Sequence, residues 1–297
     1  MNIVIEAPRS YSDLAAFLAK MNKETYQHIG YCGESKEEIY DTLTNEFSDL
    51  ALEKSFIVAY KNEDIAAAIG LDINLEDRSA EVWGPFVSEA YLHTSLGNEL
   101  WEKVTALSAP QVDQYSFFFN LDNLFAREFA NSHGGQLKGF HTVLVAKKSE
   151  WNEVVIEQIK EYNSTYQNGF AELHGHEFPS TYYSAKTILK RLSEENQLFI
   201  STSDNELTGY VYIEADPLHG DGSIEYIAVS EQFRKQGIGK KLLTFAVNKL
   251  FAYEEIEEIT LSVNNKDEGA IKLYQAVGFK VKHKLIHYEI DKKEVLL

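Results

Sequence analysis

The chain has 297 residues and carries 46 acidic side chains against 28 lysines and arginines, which gives a net charge of −18. This acidity excludes nucleic acid and anionic membrane as expected partners, and no apolar run reaches the roughly 18 residues that a membrane span needs. The single cysteine, Cys32, excludes an intrachain disulfide. Because no His/Cys cluster has metal-ligand spacing and the first residues lack signal-peptide features, we expect a cytoplasmic protein without a metal.

The spacing of apolar residues predicts alternating strands and helices along the first half of the chain. Two of the helices have candidate N-caps, Ser12 and Ser35. In chain order the predicted elements are a strand at residues 2–6, helices at 11–21 and 36–47, strands at 56–60, 65–73 and 81–87, a helix at 96–107, a strand at 115–119, a helix at 121–130 and a strand at 142–146.

A strand, a glycine turn and an amphipathic helix follow one another at residues 224–251. The turn contains Gly237 and Gly239, and the helix has one apolar face. Four cations lie in one span of eight residues that includes the turn, at Arg234, Lys235, Lys240 and Lys241. The first turn of a helix offers free amides and a partly positive end, and glycine lets a phosphate approach the backbone. This stretch therefore predicts an anion-binding site.

Three phosphate-binding patterns can be compared with this turn. A Walker loop is excluded because the two glycines are only two residues apart. A dinucleotide fingerprint needs a third glycine where this chain has Leu242. The run Arg-x-x-Gly-x-Gly from Arg234 to Gly239, after Val229, instead resembles the acyl-CoA pyrophosphate loop of the GNAT superfamily of N-acetyltransferases. For these six residues alone, an ordinary strand–helix turn with a solvated basic edge is the alternative.

A second pattern downstream supports the resemblance. After a predicted strand at residues 258–263, the chain runs Asp-x-x-Ala-x-x-Leu-Tyr-x-x-x-Gly-Phe from Asp267 to Phe279. This is similar to the second family signature, Asn-x-x-Ala-x-x-Leu-Tyr-x-x-x-Gly-Phe. The first position departs from the signature, since Asp267 stands where the family has asparagine. That departure bears on any side-chain contact to the pantetheine arm of the cofactor.

The order of predicted elements occurs twice. A shift of 142 residues places residues 55–87 on residues 197–229 without a gap, so that Val87 falls on Val229. Two adjacent copies of one unit explain the length of the chain. We therefore expect two domains, at residues 1–147 and 148–297. By its resemblance the chain is a tandem GNAT protein of the α/β (α+β) class, in which each domain is a mostly antiparallel mixed sheet flanked by helices.

The resemblance implies an N-acetyltransferase that moves an acetyl group from acetyl-CoA, its cosubstrate, to an amine by direct attack. Tyr274 matches the family tyrosine that protonates the leaving thiolate, with core packing as its alternative role. A carboxylate, Glu225 or Glu214, is the candidate base, and both also fit as rim charges. The implied cofactor-binding residues are Ala228, Val229, Arg234, Lys235, Gln236, Gly237, Ile238, Gly239, Lys240, Asp267 and Tyr274.

The acceptor is expected to be the amine of a small molecule or a peptide. An acidic surface favours such a cation, and keeping the protein soluble is the alternative role of the acidity. Family members place acceptor contacts in the segment that here contains His174, His176, Glu177, Tyr182 and Tyr183. A rival function is a non-catalytic acyl-CoA-binding sensor or interaction module, and a dinucleotide-binding oxidoreductase is a more distant one. Either a monomer or a homodimer is compatible with the sequence.

The N-terminal copy lacks the features of the anion site. Leu92 and Ser95 align with Arg234 and Gly237, and Glu99 aligns with Lys241, which places an anion in the first helical turn. Ala130 stands opposite Tyr274, although Asn123 occupies the asparagine position of the family signature. We therefore expect a degenerate first copy, and one CoA per chain bound in the C-terminal half.

Overall fold

The computed structural model describes residues 3–108, 110–179, 181 and 183–292. Their helices and strands form two compact units, one made of residues up to His141 together with those from Lys284 onward, and the other of Thr142–His283. Within the described ranges, no helix is both long and apolar enough to cross a membrane.

The first unit contains most of the N-terminal half of the chain. Its elements are β1 (Ile3–Glu6), α1 (Tyr11–Asn22), α2 (Lys36–Asn45), α3 (Leu52–Ser55), β2 (Phe56–Lys61), β3 (Asp64–Asn74), β4 (Ser79–Val87), α4 (Leu96–Ser108), β5 (Gln114–Asn120), α5 (Leu124–Ser132) and the start of β6 (Gln136–Lys147). The order of elements is as predicted except for α3, which was not predicted. The predicted starts of α5 and β6, at residues 121 and 142, were displaced from the observed ones. Ser35 caps α2 by accepting from the Glu38 amide, as predicted, but α1 is capped by Ser10 rather than Ser12.

The second unit repeats this order. Its elements are β7 (Ile159–Glu161), α6 (Gln167–Glu177), α7 (Ala185–Arg191), β8 (Asn196–Ser203), β9 (Glu206–Asp216), β10 (Asp221–Val229), α8 (Ile238–Phe251), β11 (Glu258–Asn264), α9 (Glu268–Val277) and the start of β12 (Lys280–Asp291). The strand, glycine turn and helix predicted at residues 224–251 are present as the end of β10, the loop and α8.

Within each unit the strands pair mostly antiparallel, and one pair is parallel. In the first unit the strand order is β1-β2-β3-β4-β5-β12, and β4 with β5 is the parallel pair. In the second unit the order is β6-β11-β10-β9-β8-β7, and β10 with β11 is the parallel pair. The predicted α/β class with mixed sheets is therefore confirmed.

The division between the units differs from the predicted boundary after Lys147. The last strand of each copy changes unit: β12 pairs with β5 in the first unit, and the end of β6, from Thr142, belongs to the second. Leu144 and Ala146 of β6 accordingly lie in the hydrophobic core of α8 and α9. The sequence repeat groups β6 with the strands that precede it in the chain. The predicted boundary therefore lay after β6, whereas the observed boundary lies within β6.

Two carboxylates face each other across β3 and β4 in the first unit. Asp72 and Glu81 are register partners, and both are half-buried. Burial raises the pKa of each to about 7; the charge of Asp49 adds to the effect on Asp72, and that of Asp72 to the effect on Glu81. Both groups therefore retain protons in the folded state at a pH where the unfolded chain has lost them.

Glu81→Gln should raise the free energy of unfolding at pH 8 and leave it little changed at pH 4.5. A raised carboxyl pKa means that the folded state binds more protons than the unfolded state between about pH 4 and 7, so wild-type stability falls as pH rises through that window. We expect the neutral glutamine to recover on the order of 1–2 kcal/mol at pH 8, measured by urea unfolding. Glu76→Gln, at an exposed position, is the control. An equal change at both pH values would contradict this account.

Candidate active site

A cavity of about 790 Å³ lies in the second unit where β10 and β11 part. The register of these parallel strands runs from Asp221 and Glu258 to Ser223 and Thr260 and ends there. The predicted cofactor-binding and catalytic residues that line the cavity are Glu225, Ala228, Val229, Arg234, Lys235, Gly237, Ile238, Gly239, Lys240, Asp267 and Tyr274. Gln236 does not line it, and its side chain donates to the carbonyl of Gln232 (3.4 Å).

The loop before α8 has a backbone shape that suits an anion. Lys235 and Gly237 both have left-handed φ values, 62° and 81°. Gly237 is the N-cap of α8 and supplies no side chain to the helix amides, and a Cβ built on it would meet no protein atom within 4 Å. Left-handed residues alternating with others turn successive amides toward one concave side. The amides at the start of this 14-residue helix therefore open onto the cavity.

Glu225 occupies a β-bulge in β10. The register with β9 shifts between Ile224 and Tyr226, so that Glu225 is the extra residue. Ile224 packs with the α8 core, whereas Tyr226 packs with the α6 core. The strict alternation of a regular strand therefore fails here, and Glu225 lines the cavity.

The carboxyl of Glu225 has a perturbed pKa. The residue is exposed to the cavity, but protein atoms surround its carboxyl, and this desolvation raises its pKa. The charge of Glu214 also raises it, while a hydrogen bond from Ser223 and the charge of Arg191 lower it. A carboxyl with a raised pKa in a cleft fits a general base that works near neutral pH.

Glu214, the alternative base, is held in an ion pair. Arg191 donates to both of its oxygens at 3.0 Å from Nη2, and the Tyr212 hydroxyl donates to Oε1 at 2.7 Å. Glu214 does not line the cavity. Of the two predicted carboxylates, the geometry therefore favours Glu225.

Asp267 has a structural partner. It is the N-cap of α9, and its Oδ1 accepts from the Ala270 amide at 2.9 Å. Aspartate and asparagine are equally good N-caps, so the change from the family asparagine keeps the helix start intact. One oxygen of Asp267 thereby faces the helix while the residue lines the cavity.

Tyr274 lies on α9 and is 8% exposed, with its ring against Phe279. It belongs to the hydrophobic core and also lines the cavity, so its position is compatible with both roles considered for it. Burial raises the pKa of its phenol, and the charge of Asp267 adds to the rise. The phenol therefore carries its proton at any physiological pH.

The residues predicted to contact an acceptor separate into two groups. His174 lies on α6 and is buried. Its ring nitrogens form hydrogen bonds with the Tyr210 hydroxyl (2.6 Å) and the Tyr183 carbonyl (2.8 Å). His176 lies on the same helix. Glu177, at the end of α6, lines the cavity. Tyr182 lies outside the described residues.

Tyr226 is a functional candidate that the sequence analysis did not name. Its hydroxyl accepts from the Thr181 hydroxyl (2.8 Å) and from the Tyr183 amide (3.0 Å). These bonds tie the segment after α6 to β10, beside the cavity. The only sequence signal was an aromatic residue in a strand next to the bulge, and that pattern is indistinguishable from ordinary core packing.

Sequence comparisons identify the family. The Acetyltransferase (GNAT) family model matches residues 159–279. An N-alpha-acetyltransferase of Sulfurisphaera tokodaii is 31% identical over 113 residues, which cover 35% of this chain and 68% of that protein. The chain belongs to the GNAT family of acetyltransferases. An N-alpha-acetyltransferase of Sulfolobus acidocaldarius is 30% identical over 120 residues, covering 37% of this chain and 71% of that protein.

Solved GNAT structures share the fold of the whole chain. A GCN5-related N-acetyltransferase from Sphaerobacter thermophilus has a TM-score of 0.76 at 16% identity, covering 98% of this chain and 96% of that one. A tandem GNAT protein from the clavulanic acid biosynthesis pathway has a TM-score of 0.67 at 12% identity, covering 98% and 99%. At these identities the likeness concerns the fold, and it extends over both GNAT-like units.

In the first GNAT-like unit, a short segment of the chain, residues 27–30, lies between β4 and β5. Their register ends at Glu81 and Ser116, and beyond it residues 27–30 run along β5. Ile29 bridges Phe119, the Asn120 amide donates to the His28 carbonyl (3.0 Å), and the Gly30 amide donates to the Phe118 carbonyl (2.7 Å). Ile29 is completely buried.

Side chains from both neighbouring strands hold this segment, which we call the plug (residues 27–30). The Gln27 amide group donates to the Val87 carbonyl of β4 (3.3 Å). Asn123, at the asparagine position of the family signature, reaches the carbonyl of His28 (3.4 Å). One amide at the start of α4, that of Leu96, also has a partner, since Thr94 Oγ1 accepts from it (3.3 Å). The plug and the side chains that hold it thus occupy the space between β4 and β5 in the first unit.

Proposed function

We propose that the second unit transfers an acetyl group from acetyl-CoA to the amine of a small molecule or peptide. The observation that carries this proposal is that the Gly237 loop, Glu225 and Tyr274 open onto one cavity. An anion cradle, a base and an acid around a single space fit direct transfer between a bound thioester and an amine. The domain that carries the function is Thr142–His283, in place of the predicted residues 148–297.

The proposed reaction assigns one task to each group. Glu225 takes a proton from the acceptor ammonium through water, and the neutral nitrogen attacks the thioester carbonyl. A backbone amide at Ala228 or Val229 stabilises the developing oxyanion. The C–N bond forms, the C–S bond breaks, and Tyr274 gives its proton to the leaving thiolate. A second proton leaves the nitrogen to solvent, Glu225 releases its proton to solvent, and solvent reprotonates Tyr274.

A second cavity, of about 730 Å³, fits the nucleotide half of CoA. It joins the first at Gly237 and Lys240, which line both. Trp151, Val154, Ile156 and Val277 give it apolar walls. Lys147, Lys241 and Lys280 also line it, and the first and last of these are ion-paired with Glu258 and Glu150. Apolar walls beside lysines suit an adenine ring with a phosphate. The combination of apolar walls and lysines supports a nucleotide-bearing acetyl donor.

The acceptor assay follows from the curated relatives, which are named as N-alpha-acetyltransferases. We therefore place the α-amino group of a polypeptide first among the acceptors. Peptides with free and blocked N-termini, polyamines and aminoglycosides would be incubated with acetyl-CoA, and thiol release would be measured. We expect release with at least one free amine and none with its blocked form. Tight CoA binding without turnover on any amine would instead favour the sensor function, which Asp267 at the asparagine position keeps under consideration.

Glu225→Gln tests the base. In the wild type, kcat/KM should rise with pH as the Glu225 carboxyl loses its proton, and burial shifts this rise to a higher pH than for an ordinary carboxyl. The glutamine variant should be slower and should lack this acidic limb. The measurement is kcat/KM between pH 5 and 9 with the best acceptor of the panel. An unchanged limb in the variant would assign the base to another group or to water.

A further inference from the structure

The loop cation that was predicted to hold pyrophosphate already has partners in the protein. Arg234 Nη2 lies 2.6 Å from Glu177 Oε1, and Arg234 Nε donates to the Val229 carbonyl at 3.0 Å. The same Glu177 oxygen lies 3.1 Å from His176 Nδ1. The ion pair joins the cofactor loop to the last residue of α6, which lies 57 positions earlier in the chain.

Glu177 stands between two cavities. It lines the cavity that contains Glu225 and Tyr274, and it also lines a neighbouring cavity of about 680 Å³. Three further carboxylates border this neighbour, those of Glu172, Glu206 and Glu231. The guanidinium of Arg234 neutralises Glu177 at the point where the two cavities meet.

A bound pyrophosphate would compete with Glu177 for Arg234. Both are anions, and a phosphate next to the carboxylate would also repel it. The ion pair is partly exposed, since the Arg234 side chain is 46% exposed and that of Glu177 is 21% exposed. Such a pair contributes little to stability, so a ligand with two phosphates can displace it.

We propose that Glu177 couples the two substrates of the enzyme, an inference that rests on the proposed function. In the free protein Glu177 holds Arg234. When the pyrophosphate takes Arg234, Glu177 loses its cation and presents its carboxylate to a positively charged group of the acceptor. CoA binding thereby prepares the acceptor side of the cavity, and basic acceptors are preferred over neutral ones of the same size.

Glu177→Gln separates the two parts of this proposal. Without the competing carboxylate, CoA should bind about two- to fivefold more tightly, the range that a partly exposed ion pair allows. With acetyl-CoA saturating, KM should rise for a peptide with lysines at its second and third positions. KM should stay unchanged for the same peptide with glutamines there. Calorimetry with CoA and steady-state kinetics with the two peptides are the measurements.

Glu172→Gln is the matched control, because it removes the same charge from the same neighbouring cavity without removing a partner of Arg234. It should leave CoA affinity unchanged. An equal gain of CoA affinity in both variants would show that the effect is general electrostatics. Weaker CoA binding in Glu177→Gln would show that Glu177 orients Arg234 for the phosphate. Either result overturns the coupling. A wild-type protein that does not bind CoA would overturn the proposed function itself.

Discussion

In the Tyr274→Phe variant, kcat falls by about ten- to a thousandfold, in the range of general acid contributions, while the affinity for CoA stays close to that of the wild type. Phenylalanine keeps the ring that packs in the core against Phe279 and removes only the hydroxyl. Because burial raises the pKa of this phenol, the wild-type residue carries its proton before each turnover, and we propose that the thiolate receives it. Steady-state kinetics with acetyl-CoA and calorimetry with CoA are the measurements.

Tyr253→Phe is the control for loss of a tyrosine hydroxyl in the same unit. Tyr253 donates to the Glu194 carbonyl (2.6 Å) and does not line the cavity, so its kcat should remain at the wild-type value. If Tyr274→Phe also turned over at the wild-type rate, Tyr274 would be a packing residue, and the proton would come from water or another group.

Gly237→Val should weaken CoA binding by about ten- to a hundredfold, as expected when hydrogen bonds to a charged ligand are lost. The backbone at Gly237 has a φ of 81°, which a β-branched residue adopts only with strain. A side chain there would extend into the open space beside the loop, where phosphate oxygens must reach the amides of α8. Arg234→Ala should weaken binding less, since the backbone amides remain.

The control for backbone strain is Gly220→Val. Gly220 has a similar φ of 77° at the turn before β10, and it does not line the CoA cavities. Both variants should lose stability, but only Gly237→Val should lose CoA affinity in calorimetry on folded protein. Unchanged affinity in Gly237→Val would refute the assignment of this loop.

The local elements of the fold could be predicted because each depends on neighbouring residues. The apolar spacing in α8, the glycine before it and the Ser35 cap of α2 are properties of short stretches. The second family signature likewise singled out Tyr274, which lies on α9. Residues of the candidate site were found in this way because most of them lie in two such stretches.

Contacts between distant stretches could not be predicted. No local pattern states that β12 pairs with β5 or that Glu225 lies in a bulge, since register depends on the partner strand. The Arg234–Glu177 ion pair joins a loop to a helix end, and both residues look like ordinary surface charges in the sequence. The plug of residues 27–30 is a loop with no regular pattern, and its role is evident only from its bonds to β4 and β5.

The plug gives a structural reason for the prediction that the first unit binds no CoA. The alignment had shown the loss of cations and glycine around Ser95. The structure adds that residues 27–30 occupy the space beside β5 and that Asn123 bonds to this segment. A cofactor arm would have to displace buried backbone that is already hydrogen-bonded, which costs more than an open cleft does.

Calorimetric titration of the whole chain with CoA tests the central claim most directly, with Gly237→Val titrated in parallel. We expect one CoA per wild-type chain and one site of about ten- to a hundredfold lower affinity in the variant, because we propose that the site lies at the Gly237 loop of the second unit. Two sites per wild-type chain, or one site whose affinity is unchanged in Gly237→Val, would contradict this account, since CoA would then bind outside the cavity between β10 and β11.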